Sequence, residues 1–167
     1  GPPKEQAIEL SRIIDRGIRE SKMIDLKKLC VKKGELVWTI FLDIYPINDD
    51  GNLIDACALA ALAALKSAVF PKLDGDTVIY DKFTKNKLPL KVIPFTTTIA
   101  KLGDNLFVDP SSEEEEDISS RLTVSVSEKG DIHAMQLNGI VGFTIKEVNK
   151  AIELAKKSSL NLKKAIK

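Results

Sequence analysis

Arg12, Arg16 and Arg19 recur at spacings of four and three, which at ~100° per residue places them within about one fifth of a helical circumference. A row of guanidinium groups suits phosphate, because the planar fork makes bidentate, charge-assisted bonds that grip backbone rather than sequence. By residue type alone the same row also reads as an exposed helix face, ion-paired to Glu5, Glu9 or Glu20. A second charged cluster, Ser111-Ser112-Glu113-Glu114-Glu115-Glu116-Asp117, reads as a solvated acidic turn or helix start. The single His133 leaves no nitrogen cluster for a metal, and Cys30 and Cys57 lack Cys-x-x-Cys spacing. Both cysteines read as small core residues, and no metal site or cofactor is expected.

The elements that must position these residues are legible in outline. Residues Glu5 to Lys22 have helical periodicity, with Ala7, Leu10, Ile14, Gly17 and Ile18 on one side and the arginines on the other. After a turn at Lys32 to Glu35, the apolar, β-branched and aromatic run Leu36 to Tyr45 predicts a strand in the middle of a sheet. Asn48-Asp49-Asp50-Gly51 is turn chemistry, and Asn52 is placed to cap a buried, alanine-rich helix from about Leu53 to Val69, ended by Pro71. Asp74-Gly75 marks a turn and Thr77 to Tyr80 a short strand. Hairpin patterns follow, Phe95 to Leu102 with Leu106 to Asp109, and Leu122 to Ser127 with Ile132 to Leu137. A capping box at Thr144 and Glu147 opens a terminal amphipathic helix with apolar positions Ile145, Val148, Ile152, Ala155, Leu162 and Ile166.

The chain has 167 residues, 44% hydrophobic and 29% charged, which suffices for a sizeable core. Lys+Arg 25 against Asp+Glu 24 gives no global basic excess, so any nucleic-acid contact must come from a local patch. The longest apolar run, Ala56 to Leu65, is too short to span a bilayer, and no leader pattern is visible, so a cytoplasmic protein is expected.

Three segments, in order, resemble the RNase-PH-like subunits of the archaeal exosome, and among them the partner subunit that lacks a catalytic site. They are Asp15-Arg16-Gly17-Ile18-Arg19-Glu20-Ser21, then Asp50-Gly51-Asn52-Leu53-Ile54-Asp55-Ala56, then Val108-Asp109-Pro110 running through the glutamates to Arg121-Leu122-Thr123-Val124. The resemblance implies an α+β fold: a split β-α-β RNase-PH-like domain followed by a second α+β domain. The expected division is 1–75 for the remainder of the first domain, 76–94 for a connecting segment and 95–167 for the second domain. Family members also carry strands ahead of the position of Gly1, so the first domain is expected to be N-terminally truncated here, and the Leu36 to Tyr45 strand to lack its normal neighbours.

Active members of that family degrade RNA with phosphate as nucleophile, and need donors for the phosphate together with acids that hold a metal or manage protons. The resemblance places their Gly-Ser/Thr-Arg element at Gly51-Asn52-Leu53, where leucine offers neither donor nor charge. Laid against the same relatives, Glu115 falls at the first catalytic carboxylate and Arg121 at the second, and a guanidinium cannot ligate a divalent cation. On residue type alone, Arg121 is an ordinary surface arginine pairing with Glu114 or Glu115. The chain is therefore expected to have no catalytic residues. Its expected role is to pair with a catalytic RNase-PH-like subunit in a hexameric ring, support phosphate-dependent 3'-to-5' RNA degradation, and bind single-stranded RNA through Arg12, Arg16 and Arg19. RNA-binding cap subunits of the exosome are the further partners implied, and no membrane is. A self-sufficient phosphorolytic exoribonuclease and a generic protein-interaction domain are the alternatives.

Overall fold

The structure, a computed structural model, describes residues 4–166. Helix α1 (Glu5–Glu20) is followed by a short 3-10 turn (Leu26–Leu29) and a small antiparallel pair, β1 (Cys30–Lys32) and β2 (Leu36–Val37). Then come α2 (Leu53–Ser67) and a self-paired ribbon of β3 (Val69–Asp74) and β4 (Thr77–Lys87). The second half is an antiparallel sheet in the order β6-β5-β7-β8, built from β5 (Pro94–Leu102), β6 (Asn105–Val108), β7 (Ser120–Ser127) and β8 (Ile132–Gly139). A short acidic helix, α3 (Ser112–Asp117), links β6 to β7, and α4 (Ile145–Ala165) closes the described chain. This mixed α/β arrangement agrees with the expected α+β class.

The two faces of the four-stranded sheet differ in chemistry. Ile99, Leu122, Val124 and Val126 point to one face and pack with Ala151 and Ala155 of α4, with Val148 and Leu154 beside them. On the opposite face, Thr96 pairs with Ser125 and Thr98 with Thr123, each hydroxyl pair 2.9 Å apart and buried. Helices α1 and α2 lie on this hydroxyl face. Gly17 makes the close approach possible, since a Cβ there would stand 2.9 Å from Ser125 Oγ and 3.3 Å from Thr96 Oγ1.

The capping box of Thr144 and Glu147 forms at the start of α4, and a second one, Ser111 with Glu114, opens α3. Glu147 also holds Lys101, whose Nζ lies 2.8 Å from Glu147 Oε1 and 3.1 Å from the Gly142 carbonyl. These contacts, the lysine foremost, hold the Glu147 carboxyl down at about 2.

Four local expectations fail. The run Leu36 to Tyr45 is not a central strand: only Leu36 and Val37 pair, and residues 38–47 run on without a partner strand. The alternation survives, because Trp38, Ile40, Leu42 and Ile44 turn inward while Phe41 and Tyr45 stand 85% and 81% exposed. Nothing among the described residues lies alongside to satisfy the ladder, so extended backbone alone does not make a sheet. Pro71 does not end α2, which stops at Ser67; the proline sits inside β3, where a bulged two-stranded ribbon tolerates its missing N–H. Cys30 is exposed, whereas Cys57 is buried between α2 and α1, where desolvation raises its thiol pKa. In α4 the buried stripe is Ala151, Ala155 and Ser159, and Ile145 is left 83% exposed at the first turn.

Candidate nucleic-acid interface

The arginine row lies on α1 as its periodicity requires, opposite Ile13, Ile14 and Gly17, which the fold buries. Arg12 is exposed and borders a cleft of about 510 Å3 lined by Glu5, Gln6, Glu9, Gln136 and Asn138. Arg16 is half-buried. Among the described residues neither has a carboxylate within ion-pair distance, whereas Arg19 meets Asp15 at 3.2 Å and Glu20 at 3.8 Å. The row therefore divides into two cations free to meet an external anion and one held by its own helix.

Glu9 explains why Arg12 is free. It accepts from Arg121 Nη2 at 2.8 Å and from Asn138 Nδ2, so its carboxylate is committed to the sheet. The expected pairing of Arg121 with Glu114 or Glu115 is thus corrected. Arg121 lies opposite Asn138 and Ala100 in the sheet register, on the face that α1 covers, and the acid it meets there comes from α1.

A small pocket separates this interface from α3. Asn52, Ile54, Thr98, Ala100, Pro110, Glu115, Ile118 and Arg121 enclose about 10 Å3, room for one water at most. Hydrogen bonds within and around it tie α2, α3 and the sheet together. Asn52 N–H donates to Glu115 Oε1 at 3.0 Å, Asn52 Nδ2 to Asp109 Oδ1 at 2.8 Å, Ser112 Oγ to Asp50 Oδ1 at 3.1 Å and Thr98 N–H to Asp55 Oδ2 at 2.9 Å. Asn52 occupies the position before α2 that the sequence predicts, but in a left-handed conformation with φ 50°, and its side chain reaches Asp109 instead of capping the helix. Leu53 does not line the pocket; it is half-buried against the cluster of Ile14, Cys57 and Ala61. Among the described residues no group of three or more His, Cys, Asp or Glu is arranged to hold a metal ion.

Asp55 is the residue that sequence reasoning passed over. Its signal was present, a lone acid within a helix otherwise made of Leu, Ile, Ala and Cys up to its last turn. Burial pushes its carboxyl up to about 6, against the opposing bonds from Thr98 and Asn52, and the negative charge of Asp109 adds to the rise.

Residues 1–71 match the 3' exoribonuclease family, domain 1, and residues 93–158 match domain 2 of the same family. A curated relative from Thermoplasma acidophilum, named exosome complex component Rrp42, is 46% identical over 93% of this chain and 57% of its own length. A relative of the same name from Methanosarcina acetivorans is 45% identical over 98% of this chain and 59% of its own. Among solved structures, the Archaeoglobus fulgidus exosome with RNA bound to the active site contains a chain that is 37% identical, with a TM-score of 0.87 over all of this chain and 64% of that one. An archaeal exosome core gives a TM-score of 0.85 at 36% identity, covering 98% of this chain and 64% of that one. The chain therefore spans roughly three fifths of the length of these relatives. Both family domains are matched in order and the fold is shared at high coverage: the chain belongs to the 3' exoribonuclease family, RNase PH type.

Proposed function

We propose that the chain is part of a non-catalytic subunit of an archaeal-type exosome ring, which alternates with a catalytic RNase-PH-like subunit and supports that partner's phosphate-dependent 3'-to-5' degradation of RNA. The observation that carries this reading is the state of the pocket below Asn52. The resemblance puts the phosphate-binding arginine of active relatives at Leu53, which is half-buried against the apolar cluster of Ile14, Cys57 and Ala61. It puts their second carboxylate at Arg121, which is spent on Glu9. What remains is a space of about 10 Å3, too small for phosphate, in whose lining the Asn52 N–H is given to Glu115 and the Thr98 N–H to Asp55. The relatives' names and the RNA-bound neighbour support the ring assembly.

The RNA contact of this reading is the row on α1. Arg12 and Arg16 are its working cations, while Arg19, held by Asp15 and Glu20, contributes less. RNA-binding cap subunits and a cytoplasmic setting complete the proposal; among the described residues, no helix is long and apolar enough to cross a membrane. Within the chain, 1–75 and 95–167 are assigned to the two family domains and 76–94 to their connection.

The test is reconstitution. The full-length protein mixed with its catalytic partner should give phosphorolysis that neither shows well alone, and partner activity unchanged by the addition overturns the assembly role. Nucleoside diphosphates released from RNA by this protein alone, with phosphate and magnesium, would instead make it an enzyme. In the assembled ring, Arg12→Ala or Arg16→Ala should weaken binding alike for all RNA sequences and lower the salt slope by roughly 0.7 for each phosphate no longer neutralised. Arg19→Ala should do less. A ring carrying both substitutions that binds RNA with unchanged affinity and salt dependence would reduce the row to a solvated helix face.

A further inference from the structure

We propose that Arg121 is a positioning residue for RNA: together with Asn138 it holds the Glu9 carboxylate on the sheet, and so keeps Arg12 unneutralised for the phosphate backbone. This rests on the reading of Arg12 as an RNA contact, and adds to it a residue that acts through Glu9 rather than on RNA. Left to itself, α1 would neutralise its own arginine row. Residues three and four apart on a helix are neighbours, so Glu9 and Asp15 each lie one turn from Arg12, and Glu20 lies one turn from Arg16. Arg12 and Arg16 are themselves four apart, and like charges at that spacing repel, which adds to the pull on any acid within reach. All three acids are engaged elsewhere. Asp15 and Glu20 meet Arg19 at 3.2 and 3.8 Å, and Glu9 meets Arg121 Nη2 at 2.8 Å.

One cross-strand pair builds the hold on Glu9. Arg121 of β7 and Asn138 of β8 are register partners, and they reach different oxygens of the same carboxylate, Arg121 to Oε2 and Asn138 Nδ2 to Oε1. Both oxygens are thereby taken by the sheet, although Glu9 and Arg12 line the same cleft. The side chains of Arg121 and Glu9 are 32% and 21% exposed, so their attraction is less screened than that of a Glu9–Arg12 pair on the exposed side of α1. Without Arg121, the neutral Asn138 donor alone stands against the charge of Arg12, and Glu9 turns to Arg12. A guanidinium so paired neutralises no phosphate without first giving up its carboxylate.

The experiment has an arm without RNA and an arm with it. In the protein alone, with isotope-labelled arginine, the Arg12 Nε–H resonance should move in Arg121→Met and return toward its original position when Glu9→Gln is added. A resonance that stays, or that moves and does not return, overturns the inference. In the full-length protein assembled with its catalytic partner at low salt, Arg121→Met should weaken RNA binding by about twofold, the scale of a single exposed pair one helical turn apart. It should add nothing where Arg12→Ala is already present, and Glu9→Gln should undo it. A general charge effect or a disturbed sheet weakens RNA binding equally with and without Arg12. That outcome, or no weakening at all, overturns the positioning role and leaves Arg12 as an RNA contact. If Arg12→Ala itself leaves RNA affinity unchanged, the RNA reading falls and this inference with it. Where Arg121→Met does not fold, Arg121→Gln takes its place in both arms.

Discussion

The two halves of the chain carry similar apolar, β-branched runs and treat them differently. In the second half, Pro94–Leu102 and Ser120–Ser127 pair along their length and are buried from end to end but for Leu102 and the half-buried Arg121. In the first half, the run beyond Val37 stays extended and unpaired, with its inward side chains facing an open groove of about 770 Å3 beside Leu10, Ile14 and Ile18. Composition does not separate the two runs. Neighbours do: β5 has β6 and β7 on either side and α4 across its face, whereas residues 38–47 have no paired strand among the described residues and pack side chains only, on α1, α2 and, through Trp38, on Phe70 of β3. Apolar alternation therefore specifies which side chains turn inward, and pairing specifies whether a strand forms.

The sharpest test of this contrast is in the closed half. Ile99 is fully buried against α4, so Ile99→Ala should cost about 2–5 kcal/mol in denaturant unfolding, and a loss below about 1 kcal/mol would show that this core is loosely packed. At the seam between the halves, Gly51 has φ 89° and a Cβ there would run into the Pro110 carbonyl. Gly51→Ala should cost about 1–3 kcal/mol, and a neutral result would mean that α2 and the α3 turn can separate freely.

The capping box of α4 offers a smaller effect. Removing the Thr144 hydroxyl with Thr144→Ala should cost about 1 kcal/mol in the same assay. The Glu147 carboxyl, held down to about 2 chiefly by Lys101, adds a pH signature. Its contribution is present above the ordinary glutamate range and fades as pH falls toward 2, so Glu147→Gln should flatten the acid limb of the stability profile. The smallest effect belongs to the open half. Phe41, at 85% exposure, should tolerate Phe41→Ser within about 0.5 kcal/mol, and a larger loss would show that the extended segment has a partner after all.

Much of the fold was readable from residues. Period and caps placed α1 and the start of α4 nearly to the residue, and the two hairpin patterns, Phe95 to Asp109 and Leu122 to Leu137, located two strand pairs of the sheet. What escaped had a common cause, dependence on residues distant in the chain. Leu36 to Tyr45 looked like a strand because alternation says nothing about who lies alongside. Arg121 was expected to meet the nearby glutamates and instead meets Glu9, 112 positions away, because the sheet register brings it under α1. Asp55 was invisible for the same reason: its bond to Thr98 joins residues 43 positions apart. The arginine row was legible as a row, whereas its division into free and engaged cations required knowing that the sheet had already claimed Glu9.

The hydroxyl face beneath α1 has a thermal consequence. Thr96, Thr98, Thr123 and Ser125 are buried there, whereas α4 rests on Ile, Leu and Val. Hydrating apolar surface raises heat capacity and hydrating polar surface lowers it. Lifting α1 from the sheet thus carries a smaller heat-capacity increment per unit area than lifting α4. The grip of α1 on the sheet should accordingly vary less with temperature, so that the helix bearing Arg12 and Arg16 keeps its seat on warming and cooling more evenly than the helix behind it.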